Sequence, residues 1–557
     1  MNIIKGMKMS LSLTAEQKSI IKIFKIEEQY IIPAYQRPYS WDYDACLTLT
    51  NDIFKAFKDE EEYFLGNIII SRSENNKDIL EVIDGQQRLS TLLLFIKVLS
   101  IFQPDLKPLQ DCLIKENWET GKPDDRIVSN VFETTDASEL RKVLKFTEKD
   151  FEDTLELYKD KNGKFTEKYC KSRFVANIMY LYTGIVYYNT NNDNLKQFAT
   201  FFLKNVYLLP IELNGKTSEE ASEKALKIFE TINNRGMNLD DSDIFKSKLY
   251  EKSKKINEED RFIKGWKDLK SSCEVLDVSI VDIFKYYSHI IRGENQKTTS
   301  EINLREFFTR LEYSPFNLKN YDEILDELFI IIESLEYIQK EINQTTVLAK
   351  WLQLISIYTN QYPKNALVVY LFIELKKRQE INENKLLDFL RKTIRYSYYQ
   401  GSTTKIKFKI YNIIVDICHN KNIDSFIQDE IPEKYFNYLG GLKKGYALLT
   451  HYLVNDKALC NYNIDKLINY KDEKNLNNSW SKDKIKECDN SLGNFIVLDI
   501  PKRNITINNK AKYYKNSSEL SIRNLADKLE NYSYEDFRER DKLLKQLLTD
   551  FFKGKIF

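Results

Sequence analysis

The sequence predicts an α+β protein that is predominantly α-helical. Only 16 glycines and 10 prolines occur in 557 residues, so turns are few and long helices are expected. Apolar residues recur at three- and four-residue spacing, as at Leu325, Leu328 and Ile332, which is typical of amphipathic helices. Two short runs rich in β-branched and aromatic residues, 64–70 and 79–83, predict strands. These observations together indicate a small sheet covered by helices, followed by a long helical region.

The predicted elements follow in chain order. Residues 1–20 form a polar arm that leads into a helix over 14–24, and residues 30–33 form a short extended segment. Pro38 prevents that segment from continuing as a central strand, because proline cannot donate to a β-ladder. Residues 105–170 are polar, with mixed periodicity, and predict a surface insertion. Further helices are predicted at 42–58, 174–188, 195–202, 219–232, 243–254, 278–291, 303–311, 321–344, 347–358, 366–379 and 385–399, and further strands at 206–213 and 495–498, before two closing helices.

Charge and cysteine content bound the class of protein. Lys and Arg number 84 against 83 for Asp and Glu, so the formal net charge of +1 provides no global attraction for nucleic acid. Any DNA contact must therefore come from local basic clusters. The seven cysteines are scattered without a C-x-x-C pair, which fits a reducing cytoplasm better than a zinc site or a disulfide framework. We expect a cytoplasmic protein without a membrane partner, because neither a bilayer-length apolar run nor a secretory signal is evident.

One stretch combines the residue types that bind an anion. A short apolar run ends at Asp84 and Gly85, and a helical pattern begins at once with Gln86, Gln87 and Arg88. Gly85 allows a positive φ at the turn, while backbone N–H groups, two amides and a guanidinium point toward one place. A phosphate would be stabilised there. The alternative is an ordinary strand–turn–helix with solvated polar side chains.

Two further segments carry compatible chemistry. Tyr35, Gln36 and Arg37 combine an aromatic ring, an amide and a cation, which could stack a base and contact phosphate, although nearby aromatics could equally anchor this loop in the core. Farther along, the pattern of a helix is broken before Arg235 and its following glycine. On the local sequence, helix termination is the favoured explanation of that turn.

Four blocks, at 32–41, 64–69, 81–92 and 228–239, together resemble the N-terminal domain of the GmrSD restriction endonucleases, which is related to ParB and sulfiredoxin. The resemblance covers roughly residues 20–250. It implies a ParB-like core in a bacterial antiviral defence protein that hydrolyses a nucleoside triphosphate and acts on foreign phage DNA. It assigns hydrolysis to Asp84, Gln86, Gln87 and Arg88, Mg²⁺ to Asp84, and nucleotide binding to Tyr35, Gln36, Arg37, Gly85, Asn233, Arg235 and Lys246.

The C-terminal region is similar to the GmrSD C-terminal domain, an HNH-type nuclease, but departs from it at the catalytic block. Lys466 stands where that family has histidine, and Asn469 where it has proline, although Asn494 remains. A cationic lysine cannot act as the neutral imidazole base that activates water. We therefore expect a degenerate, catalytically inactive domain that is retained for DNA binding or for contact with a partner.

These patterns predict three domains: a ParB-like nucleotide-binding domain over 1–250, a helical domain over 251–440 and a degenerate HNH-like domain over 441–557. The predicted function is restriction-like defence driven by triphosphate hydrolysis. One alternative is a non-enzymatic subunit of a defence complex that senses nucleotide or binds DNA. Another is nuclease activity in the N-terminal domain itself. A partner protein or a second copy of the chain is compatible with each.

Overall fold

A computed structural model describes residues 13–117, 119–131, 136–191, 194–217, 220–221, 224–225, 241–377, 380–400, 403–423, 431, 436, 440–469, 472–473, 476–503 and 505–557. The chain divides into two compact units, Met1–Glu251 and Lys252–Phe557. The first unit contains a large mixed sheet, whereas the second is built mainly from helices. The predicted class, α+β and predominantly helical, is confirmed.

Strands of the first unit form one mixed sheet in the order β1-β9-β4-β5-β3-β8, with β2 also paired to β9. β4 and β5 form an antiparallel hairpin, while β4 with β9, β5 with β3, and β3 with β8 run parallel. A separate two-stranded sheet joins β6 and β7. The strands are β1 Leu13–Ala15, β2 Lys18–Ser19, β3 Gln29–Ile32, β4 Tyr63–Ser73, β5 Asn76–Asp84, β6 Ile114–Lys115, β7 Asp124–Asp125, β8 Ile127–Ser129 and β9 Val206–Gly215.

The helices of the first unit surround a central helix, α3, which is apolar on almost every side. Leu93, Leu94, Phe95 and Ile96 are four consecutive residues of α3 with no exposed surface, as expected of a helix enclosed by the core. Burial on all sides fixes the beginning of α3 rigidly against the sheet. The helices are α1 Ile20–Ile23, α2 Tyr43–Asp59, α3 Gln86–Phe102, α4 Lys107–Leu113, α5 Asp136–Leu144, α6 Glu148–Tyr158, α7 Arg173–Asn191, α8 Leu195–Asn205 and α9 Asp241–Lys254.

The structure corrects two predictions at the edges of this unit. The helix predicted over 14–24 is wrong in its first half, because β1 and β2 lie there and only the four residues of α1 are helical. Both strands pair with β9, and they cover an edge that would otherwise expose unpaired backbone groups. The surface insertion predicted over 105–170 is also wrong in part, because β8 joins the main sheet beside β3.

Arg126 explains why the polar segment around β8 belongs to the core. Its side chain is fully buried and donates hydrogen bonds to five backbone carbonyls rather than to a carboxylate. Two of these bonds, to the carbonyls of Cys112 and Asp111, measure 3.0 and 2.7 Å. The others reach the carbonyls of Lys25, Glu28 and Ile114. One guanidinium therefore ties three chain segments together.

The second unit is mainly a helical array that contains a small two-stranded sheet, β10 Asn463–Lys466 with β11 Phe495–Leu498, and further helices follow this sheet in the chain. Among the described residues, no helix of either unit is both long and apolar enough to cross a bilayer. The helices of the second unit are α10 Glu259–Val275, α11 Ile280–Glu294, α12 Leu304–Arg310, α13 Pro315–Leu318, α14 Tyr321–Ile342, α15 Val347–Ser356, α16 Tyr362–Lys376, α17 Glu383–Gln400, α18 Thr403–Cys418, α19 Lys443–Val454, α20 Lys482–Cys488, α21 Ile507–Tyr514, α22 Leu520–Leu529 and α23 Tyr534–Phe552.

Candidate nucleotide site

The turn between β5 and α3 is the centre of the candidate site. β5 ends at Asp84, Gly85 adopts a left-handed conformation with φ +94°, and α3 begins at Gln86. A Cβ atom at Gly85 would lie 2.5 Å from Cγ2 of the fully buried Ile68. Only glycine fits this turn, both for its φ and for its close approach to β4. No side chain caps the N-terminus of α3, so its first N–H groups lack the usual side-chain acceptor.

Asp84 is a half-buried carboxyl group placed in a mixed electrostatic environment. Burial raises its pKa, and three features oppose the shift: the charge of Arg88, a hydrogen bond from the Gly85 N–H, and the charge of Arg37. Burial is the largest of these effects, so the pKa lies above its ordinary value. Such a carboxyl group can hold a cation or accept a proton more readily than a fully solvated one.

Arg88 is held beside this turn by the neighbouring strand. Its Nη1 donates to the backbone carbonyl of Asn67 in β4. Gly66, with φ +105°, lies against the guanidinium, because a Cβ built there would be 3.6 Å from Arg88 Nη1. The pairing of β4 with β9 is irregular between Phe64 and Asn67. The 64–69 block thus provides the backbone carbonyl that holds Arg88 beside the turn.

Gln86 and Gln87 fasten the loop that contains residues 35–41. Gln86 Nε2 donates to the Arg37 carbonyl at 2.8 Å, and Gln87 Nε2 donates to the Pro38 carbonyl at 3.0 Å. The N–H of Ser40 donates in turn to Gln87 Oε1, at 2.8 Å. Both glutamine side chains are only 6% exposed. The two amides thus place the loop over the start of α3.

The loop is also tied to β5 and to α9. Gln36 Nε2 donates to the Ile83 carbonyl at 2.9 Å, and the buried Lys246 Nζ lies 3.4 Å from the Gln36 carbonyl, to which it donates. Arg37 is exposed between these anchored residues. Lys246 therefore joins the same site as Asp84 although 162 residues separate them in sequence.

The aromatic residues of the loop point inward. Tyr39 stacks on Phe174 with ring centroids 4.3 Å apart, and its hydroxyl pairs with Thr91 Oγ1 at 2.7 Å. Asn177 Nδ2 donates to the same hydroxyl at 3.0 Å. Tyr35 is 6% exposed and packs against Tyr250. Both rings anchor the loop in the core.

The structure therefore brings together nine of the predicted site residues and leaves two undescribed. Asn233 and Arg235 lie outside the described residues, as does the 228–239 block. Sequence reasoning did not assign the backbone carbonyl of Asn67 or the side chain of Asn177. Asn67 lies in one of the four blocks, whereas nothing in the sequence distinguishes Asn177. The nine residues are Tyr35, Gln36, Arg37, Asp84, Gly85, Gln86, Gln87, Arg88 and Lys246.

The side chains that could coordinate a metal ion determine which cation could bind at this site. In the described part of the chain, no group of three or more His, Cys, Asp and Glu side chains is positioned to hold a metal ion. A single carboxylate such as Asp84 suits Mg²⁺, which usually binds through one or two carboxylates together with phosphate oxygens of a ligand and water. The residues present thus fit a cation that arrives with a triphosphate.

Comparison with known proteins shows what the first unit resembles. The family model described as GmrSD restriction endonuclease, N-terminal domain, matches residues 20–250. No curated protein matches the chain. The match includes the sheet from β3 to β9 and the complete turn at Asp84–Arg88. The first unit is similar to the N-terminal domain of a restriction endonuclease, and this similarity supports a restriction-type role in defence.

Proposed function

We propose that the first unit binds a nucleoside triphosphate with Mg²⁺ at the β5–α3 turn and hydrolyses it in the service of restriction-type antiviral defence against foreign DNA. The observation that carries the proposal is the uncapped N-terminus of α3, flanked by the half-buried carboxyl group of Asp84 and by Arg88. Helix N-termini of this kind stabilise phosphate through their N–H groups and dipole.

Each side chain has a separate task in this proposal. Arg88 contacts phosphate oxygens, and Lys246 adds a second cation, which is buried beside the loop. Asp84 holds the cation or orients water, and Arg37 meets the outer end of the ligand. Gln86 and Gln87 act through the loop that they hold. A bound Mg²⁺ would neutralise charge on the phosphate oxygens.

Hydrolysis should depend on the two charged residues of the turn. We expect Asp84→Asn and Arg88→Ala each to lower triphosphate turnover by at least ten-fold, which is roughly 1.4 kcal/mol of transition-state stabilisation. Phosphate release from the purified chain measures the effect. Asp153→Asn and Arg173→Ala are matched controls, because both side chains are exposed on the surface of the same unit. Full turnover in both turn variants, with the controls also unchanged, would sink the proposal.

A second candidate function is nucleotide sensing without hydrolysis. It is favoured by the hydrogen bonds that already occupy the Gln86 and Gln87 amides, which leave Asp84 as the one carboxyl group of the turn. Equilibrium binding without phosphate release would select this function. Nuclease activity of the first unit would instead appear as nicking of plasmid DNA that is lost in Asp84→Asn.

The raised pKa of Asp84 predicts an effect on stability. Because the folded state raises this pKa, folding favours the protonated form, and the contribution of the group to stability falls as pH rises above the unfolded value of about 4. At pH 7 the ionised carboxylate therefore opposes folding. We expect Asp84→Asn to raise the melting temperature at pH 7 and to lose this advantage near pH 3. Calorimetry checks both points, and a lower melting temperature at pH 7 would contradict the assignment.

A further inference from the structure

A cavity of about 470 Å³ in the second unit has a strongly cationic lining. It lies between the start of α19, the strands β10 and β11, and the segment that follows β11. This segment and α19 provide most of the charge. Five lining residues are cations and one is a carboxylate, an excess of four positive charges: Lys443, Lys444, Lys466, Lys502 and Arg503 against Asp465. The whole chain, by contrast, carries a formal net charge of +1.

The single carboxylate of the lining is already neutralised. Lys502 Nζ lies 3.3 Å from Asp465 Oδ1, and the buried Lys510 Nζ lies 3.8 Å from Oδ2. The Tyr514 hydroxyl donates to the same Oδ2 at 3.2 Å. Asp465 is 5% exposed. A divalent cation at this carboxylate would lie next to two ammonium groups, so the cavity suits an anion.

The end of β10 is fixed in place around the cavity. Lys466 Nζ forms an ion pair with Asp489 at 2.6 Å, so it is not available as a base. The Asn494 side chain holds the loop that follows β10 through both backbone groups of Ile468. Its Oδ1 accepts from the Ile468 N–H at 2.8 Å, and its Nδ2 donates to the Ile468 carbonyl at 3.0 Å. Lys510 Nζ donates to the carbonyls of Lys466 and Leu467. The backbone at the end of β10 is therefore held in place, and with the charge of Lys466 offset by Asp489 an excess of three positive charges remains at the cavity.

Cations continue outward from the cavity. Lys444, Lys502 and Arg503 are exposed, and the Arg503 guanidinium lies over the ring of Tyr513 at 4.5 Å. A cavity of this size accommodates a nucleotide-sized group. The exposed cations suit a ligand that extends beyond the cavity, as a nucleic-acid strand does, because backbone phosphates follow one another along the strand.

We propose that this cavity binds neighbouring phosphates of a nucleic-acid strand without cleaving it. The site lies in the second unit and goes beyond the proposed triphosphate site of the first. Free nucleotides carry the same phosphate chemistry and are the competing source. A strand gains additional contacts with the exposed cations, so it binds more tightly than a nucleotide.

The test uses the full-length chain without added nucleotide and a fluorescent 20-nucleotide DNA strand. We expect the double variant Lys444→Ala/Arg503→Ala to bind at least ten-fold more weakly near 0.1 M salt. The slope of log affinity against log salt should fall by about 1.4, since each phosphate contact on a single strand contributes roughly 0.7. Arg310→Ala/Lys340→Ala removes the same charges from exposed positions of the same unit and should leave binding unchanged.

The proposal is overturned if the cavity variant binds the strand with unchanged affinity, or if both double variants lose affinity equally. It is also overturned if ATP or inorganic phosphate displaces the strand at concentrations below the dissociation constant of the strand. Mg²⁺-dependent cleavage of the strand that disappears in the cavity variant also overturns it. The Asp84→Asn chain should bind the strand normally. Strand binding tests the cavity and phosphate release tests the triphosphate site, so the failure of one proposal can be distinguished from the failure of the other.

Discussion

Replacing Arg126 by methionine is expected to destabilise the first unit by about 5 kcal/mol, because five backbone carbonyls lose a buried, charged donor at once. Hydrogen bonds to charged groups contribute roughly 1.5–3 kcal/mol each, and the expected loss is smaller than their sum because methionine also removes the cost of burying the Arg126 charge. Domains have a total stability of about 5–15 kcal/mol. Much of the first unit should therefore be unfolded in this variant.

The measurement is hydrogen exchange of the full-length chain, followed in peptides that cover the segments joined by Arg126. Arg141→Met is the matched control, because Arg141 forms an exposed ion pair with Asp125 of the kind that contributes about 1 kcal/mol or less. Arg126→Lys should recover part of the loss, since an ammonium has three donors. Native protection in Arg126→Met would show that the five hydrogen bonds are energetically minor.

Gly85→Ala should have the second largest effect. A left-handed conformation costs a non-glycine residue roughly 1–2 kcal/mol. The added Cβ also overlaps Ile68, which is fully buried and cannot move aside, for about 1–3 kcal/mol more. We expect a total loss of about 3 kcal/mol in denaturant unfolding. Triphosphate hydrolysis should fall at least ten-fold in the protein that remains folded.

Gly163→Ala separates the two causes. Gly163 has φ +73°, but no atom lies within 4 Å of the position that an added methyl group would occupy, so only the backbone strain applies. We expect this variant to lose about 1 kcal/mol and to retain hydrolysis. Equal losses at both glycines would show that the overlap with Ile68 relaxes, and the turn would then be less constrained than its geometry indicates.

Local pattern predicted the long elements of the fold. The runs at 64–70 and 79–83 lie inside β4 and β5, and the periodicity around Leu325 lies inside α14. The failures have physical causes. β1 and β2 are too short to carry a periodic signal, and they are stabilised by pairing with β9. The local sequence predicts a surface position for Arg126, because the hydrogen bonds that satisfy it in the core are formed with segments distant in sequence.

The candidate site shows the same limit. The strand–acid–glycine–helix turn could be predicted, because its residues are consecutive and glycine has a specific conformational role. The inward direction of Gln86 and Gln87 could not, since it depends on the loop that crosses them. The contribution of Asn177 depends on a tertiary contact 138 residues away. The three-domain division and the catalytic and binding roles of all the predicted site residues stay predictions, and Asn233 and Arg235 lie outside the described residues.

The loop across α3 has a consequence for the order of assembly during synthesis. The hydrogen bonds that hold it join residues separated by 46 to 210 positions, from Trp41–Gln87 to Lys246–Gln36. Contacts between distant positions form late, because a long intervening chain must first be closed. A ribosome-bound chain shorter than about 250 residues lacks Lys246 altogether. Nucleotide affinity would therefore mark the moment at which the first unit is fully synthesised and folded, and nascent fragments would be inert toward the cell's triphosphate pool.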